Sequence, residues 1–164
     1  MNKKIIIIII VLLATVSISG CINSPIDNIN NIVPSLTESI ENGGSNFNEA
    51  VQYSNKRDYV NAEEKIQVAS TSFLDGQNKI LDIKRYYDDI NDTVYLQYIN
   101  LIEEELNLKQ NATAYMQLAI QAFRNDNKVT ANGYVTKANN MMREAIVIQN
   151  QRENLVKNNP NKFK

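Results

Sequence analysis

From residue 26 to residue 157 the apolar positions return at alternating steps of three and four. The clearest run is Tyr59, Ala62, Ile66, Ala69, Phe73, Gly76, Ile80, Ile83 and Tyr87. A second runs from Val94 through Tyr98, Leu101, Glu105, Leu108, Ala112, Tyr115 and Ala119 to Ala122, and a third from Ala131 through Ala138 and Ala145 to Leu155. The first segment, Ile26 to Ser54, keeps the spacing across Pro34 and Gly43-Gly44. Such spacing draws one apolar stripe along a helix, and a mean period of about 3.5 implies left-handed supercoiling. Ile99, Ile102, Leu106, Met116, Ile120 and Phe123 widen the stripe of the third segment. A widened stripe suits a bundle core better than a two-stranded coil.

Between these segments lie short turns rich in Asn and Asp: Asn55-Lys56-Arg57-Asp58, Asp88-Asp89-Ile90-Asn91-Asp92 and Asn125-Asp126-Asn127. Asp58 and either Asn91 or Asp92 are suited to cap the helices that follow. The predicted helices are 26–55, 58–88, 92–125 and 128–157, each roughly 45 Å long at 1.5 Å per residue. Short turns between helices of equal length force antiparallel neighbours. The expected fold is all-α, an antiparallel up-down four-helix bundle over residues 26–157, with 158–164 as a disordered tail. Ala62, Ala69 and Gly76 stand one heptad apart, as do Ala131, Ala138 and Ala145. Small residues on one stripe let helix axes approach toward about 8 Å. A core packed this way leaves little room for a ligand cavity.

The stretch FNEAVQYSNKRDYVNAEEKIQVA resembles a tetratricopeptide repeat, with Ala50, Tyr53, Tyr59, Ala62, Ile66 and Ala69 at that repeat's small and large positions. The resemblance implies an alternative fold of helical hairpins about half as long.

The first 21 residues have a different character. Met1-Asn2-Lys3-Lys4 is positive, Ile5 to Ala14 is unbroken apolar sequence, and Ser17, Ser19 and Gly20 precede the sole cysteine, Cys21. A positive start, an apolar run of about ten residues and a small-residue cleavage site describe an export signal. A membrane span needs about twenty apolar residues, so an uncleaved anchor is the weaker alternative. Ile18-Ser19-Gly20-Cys21 resembles a lipobox, the processing site of lipoprotein signal peptides. The resemblance implies cleavage before Cys21, a thioether lipid on its sulfur, and a short tether over residues 21–25. It also implies two or more acyl chains, which together hold a protein stably on a membrane. The whole resembles lipoproteins of methanogenic archaea and low-GC bacteria. The expected location is therefore the outer face of the cell membrane. No cofactor is expected beyond the covalent lipid.

The chain has 17 basic and 18 acidic residues, and loss of Lys3 and Lys4 with the signal would tilt it further toward acid. No basic block asks for nucleic acid. With no histidine, the commonest general base is missing, and no Ser-His-Asp or Cys-His site can be built. No catalytic or metal-binding residue is singled out. The acids Asp88, Asp89 and Asp92 read better as solvated caps than as a calcium loop, which needs a glycine and a terminal glutamate.

Three groups remain. Glu105 and Arg152 fall on apolar seams, and Lys79 is a further partner candidate, so these three form a candidate buried polar layer that fixes register. On that reading Glu105→Leu raises stability. Tyr86, Tyr87 and Tyr95 flank one turn, either as an exposed contact cluster or as end packing. Asn91, in Asn91-Asp92-Thr93, is a candidate N-glycan acceptor at a turn, while Asn111, in a second sequon, lies inside a helix. The expected function is a membrane-anchored, non-catalytic interaction module that docks an envelope or extracellular protein. The alternative is a sensor or accessory lipoprotein for a small ligand or ion.

Overall fold

A computed structural model describes residues 25–163. Four long helices account for nearly all of them: α1 Pro25–Asn55, α2 Tyr59–Lys84, α3 Thr93–Arg124 and α4 Lys128–Asn158. They alternate up and down as an antiparallel bundle. Each runs 26 to 32 residues without a break, so the shorter tetratricopeptide hairpins do not form.

Two of the three turns share one construction. At the end of α1 the Asp58 N–H donates to the Tyr53 carbonyl, and at the end of α3 the Asn127 N–H donates to the Ala122 carbonyl. Each closes over a left-handed residue, Arg57 at φ 60° or Asp126 at φ 54°. This is the Schellman pattern. Asp58 and Asn127 then cap the next helix through their side chains. The middle connection differs. α2 stops at Lys84, four residues before the expected end, and a 3-10 turn over Tyr87–Asp89 leads to Asp92, whose carboxylate accepts from the Val94 and Tyr95 N–H groups.

The seams read from the sequence are the buried faces. Ala62, Ile66, Ala69, Phe73, Ile80 and Ile83 of α2 are at most 1% exposed. Close approach has visible causes. A Cβ on Gly43 of α1 would lie 2.5 Å from the Phe73 ring, and one on Gly76 would lie 3.0 Å from Leu106. α4 is held differently, burying only Ala131, Ala138, Ala145 and Ile148. The tightest pairings are α1 with α2 and α3 with α4, and α2 against α3 joins the two hairpins. α1 and α4 form no comparable pairing among the described residues.

Residues 159–163 of the segment expected as a disordered tail lie against the bundle, and residue 164 lies outside the described residues. Phe163 is buried, its ring 5.1 Å from those of both Tyr95 and Tyr98. The Tyr95 hydroxyl donates to the Lys162 carbonyl, and the Lys162 ammonium pairs with Asp92. Burial of the Phe163 ring, the Tyr95–Lys162 hydrogen bond and the Lys162–Asp92 pair together oppose the chain entropy lost in ordering the short polar segment.

Candidate functional site

The polar layer exists, with one member exchanged. Glu105 is 0% exposed, on the face of α3 that meets α4. Its Oε1 accepts from Lys109 Nζ at 2.5 Å, and its Oε2 accepts from Arg152 Nε at 3.2 Å. Arg152 also lies over the Tyr98 ring, 5.8 Å from its centroid. Burial works against the Arg152 charge, but the Glu105 carboxylate and the neighbouring Tyr98 outweigh it and hold the guanidinium above its ordinary pKa. Antiparallel register around Asp126 brings residues 105 and 152 together.

Lys79 does not belong to this layer. It sits on the opposite flank, where it pairs with Asp75 and donates to Ser39 Oγ at 2.9 Å. With Ser39 donating to the same carboxylate, these contacts hold Asp75 below the usual carboxylate range. The missed partner is Lys109, one turn from Glu105 on the same helix. The sequence did carry that signal, since a Glu followed by Lys at i+4 is a favourable helix pair. Glu103, two residues before Glu105, reaches across to Lys84 of α2 at 2.6 Å.

Two cations on one carboxylate leave a net positive charge at the core. Lys109 is 9% exposed, and helical register points it, with Ile102 and Met116, toward the side where α1 and α4 stand apart. Half-buried Val33, Ile40 and Val51 of α1 and Val135 and Met142 of α4 pack against the core from either side. Gly44 lies on this same flank of α1, and a Cβ added to it would meet nothing within 4 Å. The α3 side chains Ile102, Lys109 and Met116 are nonetheless covered, at 3, 9 and 3% exposed. Towards the start of α1 the packing leaves an apolar gap of about 40 Å³ among Ile29, Val33, Tyr98, Ile102 and Val156, plugged by Phe163.

Tyr86, Tyr87 and Tyr95 do not form an open aromatic cluster. All three are half-buried against the core. Asn100 Nδ2 donates to the Tyr87 hydroxyl at 2.9 Å, and Tyr95 lies under Phe163. Burial raises the Tyr95 pKa, with Asp92 adding to the effect. Asn91 is exposed at its turn. Ile18, Ser19, Gly20 and Cys21 lie outside the described residues. Among the described residues no helix is long and apolar enough to cross a membrane, and no group of three or more His, Cys, Asp or Glu side chains is placed to hold a metal ion.

Fold and polar layer together define an all-α helical bundle with a buried, net-cationic cluster between α3 and α4. No family model, curated protein or solved structure matches the chain.

Proposed function

We propose that this protein is an exported lipoprotein, anchored through Cys21, whose helical bundle serves as a non-catalytic docking module for an envelope or extracellular protein. The observation that carries the anchoring is the Ile18-Ser19-Gly20-Cys21 tetrad directly behind the apolar run of Ile5 to Ala14. Docking is supported by the packing. The apolar gap beside Phe163, about 40 Å³, is near the volume of one water molecule, and the larger depression of about 490 Å³ is an open, polar surface lined by α1 and the residue after it, from Ser45 to Lys56, rather than an enclosed, mostly apolar metabolite site. Large apolar side chains also stand in water, among them Leu74 and Leu81 of α2 and Ile146 and Val147 of α4.

The test has two arms. Mass spectrometry of the mature protein should find Cys21 as the N-terminal residue, carrying a lipid. Cys21→Ser should leave the chain unprocessed and free of lipid. An unmodified Cys21 would end the lipoprotein reading. Crosslinking of intact cells should then recover a stoichiometric protein partner with the anchored form and lose it with Cys21→Ser. Recovery of the bare chain from both would end the docking reading and favour the small-ligand alternative.

A further inference from the structure

We infer that the end of the bundle holding Pro25 and residues 157–163 rests on the phosphate headgroups of the membrane, and that the four helices stand away from it with the turns at Arg57 and Asp126 outermost. The inference rests on the lipid anchor proposed above, and gives the bundle an orientation and this end a partner. Tether length carries it. Four residue steps separate Cys21 from Pro25, where α1 begins. An extended chain covers at most about 3.6 Å per residue, so on any path Pro25 lies within about 14 Å of the lipid-bearing cysteine. α1 then runs 31 residues, about 45 Å, to Asn55. No movement of the tether can carry the Pro25 end far from the headgroups, whereas the distant turns approach them only if the bundle lies down.

Helix direction brings a second feature to the same end. α4 finishes beside the start of α1, where Ile29 and Val33 share the apolar gap with Val156 and Phe163. The sequence from Lys157 to Lys164 carries three lysines and no acid. Lys157 is exposed, and so is Lys162 while it pairs with Asp92. An acid-free group of lysines next to the tether complements headgroup phosphates. Lys84 and Arg85 on this end are paired with Glu103 and Asp82, and Asp88 and Asp89 stand exposed on the turn between α2 and α3. That turn would be repelled, so contact falls on the side of α4 and the tail.

Lying flat would need a flank that is both apolar and basic. Leu74 and Leu81 of α2 are each followed by an aspartate, and Ile146 and Val147 of α4 stand next to Glu144 as well as Arg143. Neither flank offers such a face. Standing on the Pro25 end leaves both flanks and the outer turns open to a protein partner.

The test uses the full lipidated chain, extracted from its own membranes and placed in vesicles of phosphatidylglycerol and phosphatidylcholine with an energy acceptor on the headgroups. With Cys21 occupied by lipid, one introduced cysteine is the sole free thiol and takes a donor dye alone. Asn161→Cys marks the inner end, Lys56→Cys the outer end, and Leu74→Cys and Asn139→Cys the flanks, all at exposed positions. Energy transfer should fall from Asn161 through the flanks to Lys56, with at least about a threefold difference between ends about 45 Å apart. Lys157→Gln combined with Lys164→Gln removes two charges and leaves the Lys162–Asp92 pair in place. It should reduce that difference by about half or more at an unchanged melting temperature.

Equal transfer from Asn161 and Lys56, or more from a flank than from Asn161, would show a bundle lying down and overturn the inference while the lipid anchor stands. A difference untouched by the double lysine variant would overturn the headgroups as the partner of this end. A chain with no lipid on Cys21 that fails to float with the vesicles would sink the anchor and the inference together.

Discussion

Glu105 shows how one residue's neighbours reverse the effect of a substitution. A buried ion pair replaced as a whole by apolar residues often gains stability, whereas removal of one partner strands the charge of the other. Here Glu105 holds two cations, one of them 9% exposed. Glu105→Leu alone brings Lys109 and Arg152 together with no anion between them. It should cost about 3–5 kcal/mol, measured by urea unfolding. Replacing all three residues by Leu and Met should recover that loss and add up to about 1–4 kcal/mol, since no charge is then left buried. Failure of the triple variant to exceed the single one would show that the layer stabilises the bundle outright. Adjacent glycines make a second contrast. Gly43→Ala drives a methyl group into Phe73 and should cost about 1–3 kcal/mol. Gly44→Ala meets open space inside a helix and should gain about 0.5–1 kcal/mol. Equal effects from the two would contradict the packing of α1 on α2.

At the scale of elements, the turns carry strain that the sequence did not remove. Arg57 and Asp126 occupy left-handed backbone, which disfavours side chains with a Cβ by about 1–2 kcal/mol. Arg57→Gly should therefore raise the melting temperature, by an amount corresponding to about 1 kcal/mol after the greater freedom of glycine in the unfolded chain is set against the gain. A fall would mean that the Arg57 side chain makes a contact of its own. The tail behaves as a clasp with a pH dependence. The Lys162 ammonium, opposed by desolvation and aided by the Val94 and Tyr95 N–H groups, keeps the Asp92 carboxyl below the usual carboxylate range. A depressed folded pKa stabilises above the unfolded value and loses that effect as pH falls through the folded value. Clasp and cap should therefore hold at neutral pH and loosen only in acid, below the ordinary aspartate range. Tyrosine fluorescence or amide exchange at residues 159–163 should report the opening, and Asp92→Asn should abolish its pH dependence. A clasp that opens near neutrality would contradict this assignment.

For the molecule as a whole, protection should follow burial. α2 and α3 form the joint between the hairpins, whereas α4 contributes a narrow stripe of three alanines and Ile148. Native-state hydrogen exchange should rank α2 and the middle of α3 as the most protected and α4 as the least, with the difference largest on the α4 face toward α1. Equal protection of α4 and α3 would show that the narrow α4 stripe holds its helix as firmly as the wider α2 and α3 faces hold theirs.

How much of this was legible in the chain divides along the same scales. Heptad spacing determined four helices and their buried faces, because a side chain's place on a helix depends only on counting along it, and the short turns determined their antiparallel order. The Asn- and Asp-rich turns and the meeting of Glu105 with Arg152 followed from the same counting across a short turn. Three things required the tertiary structure. Choosing between Lys79 and Lys109 as the partner of Glu105 depends on which flank of each helix turns inward. Docking of the tail depends on a slot built by residues from all four helices. The separation of α1 from α4 depends on where the small residues let axes approach and where they do not. All three are relations between distant parts of the chain, set by packing in three dimensions, which no periodicity along one helix encodes.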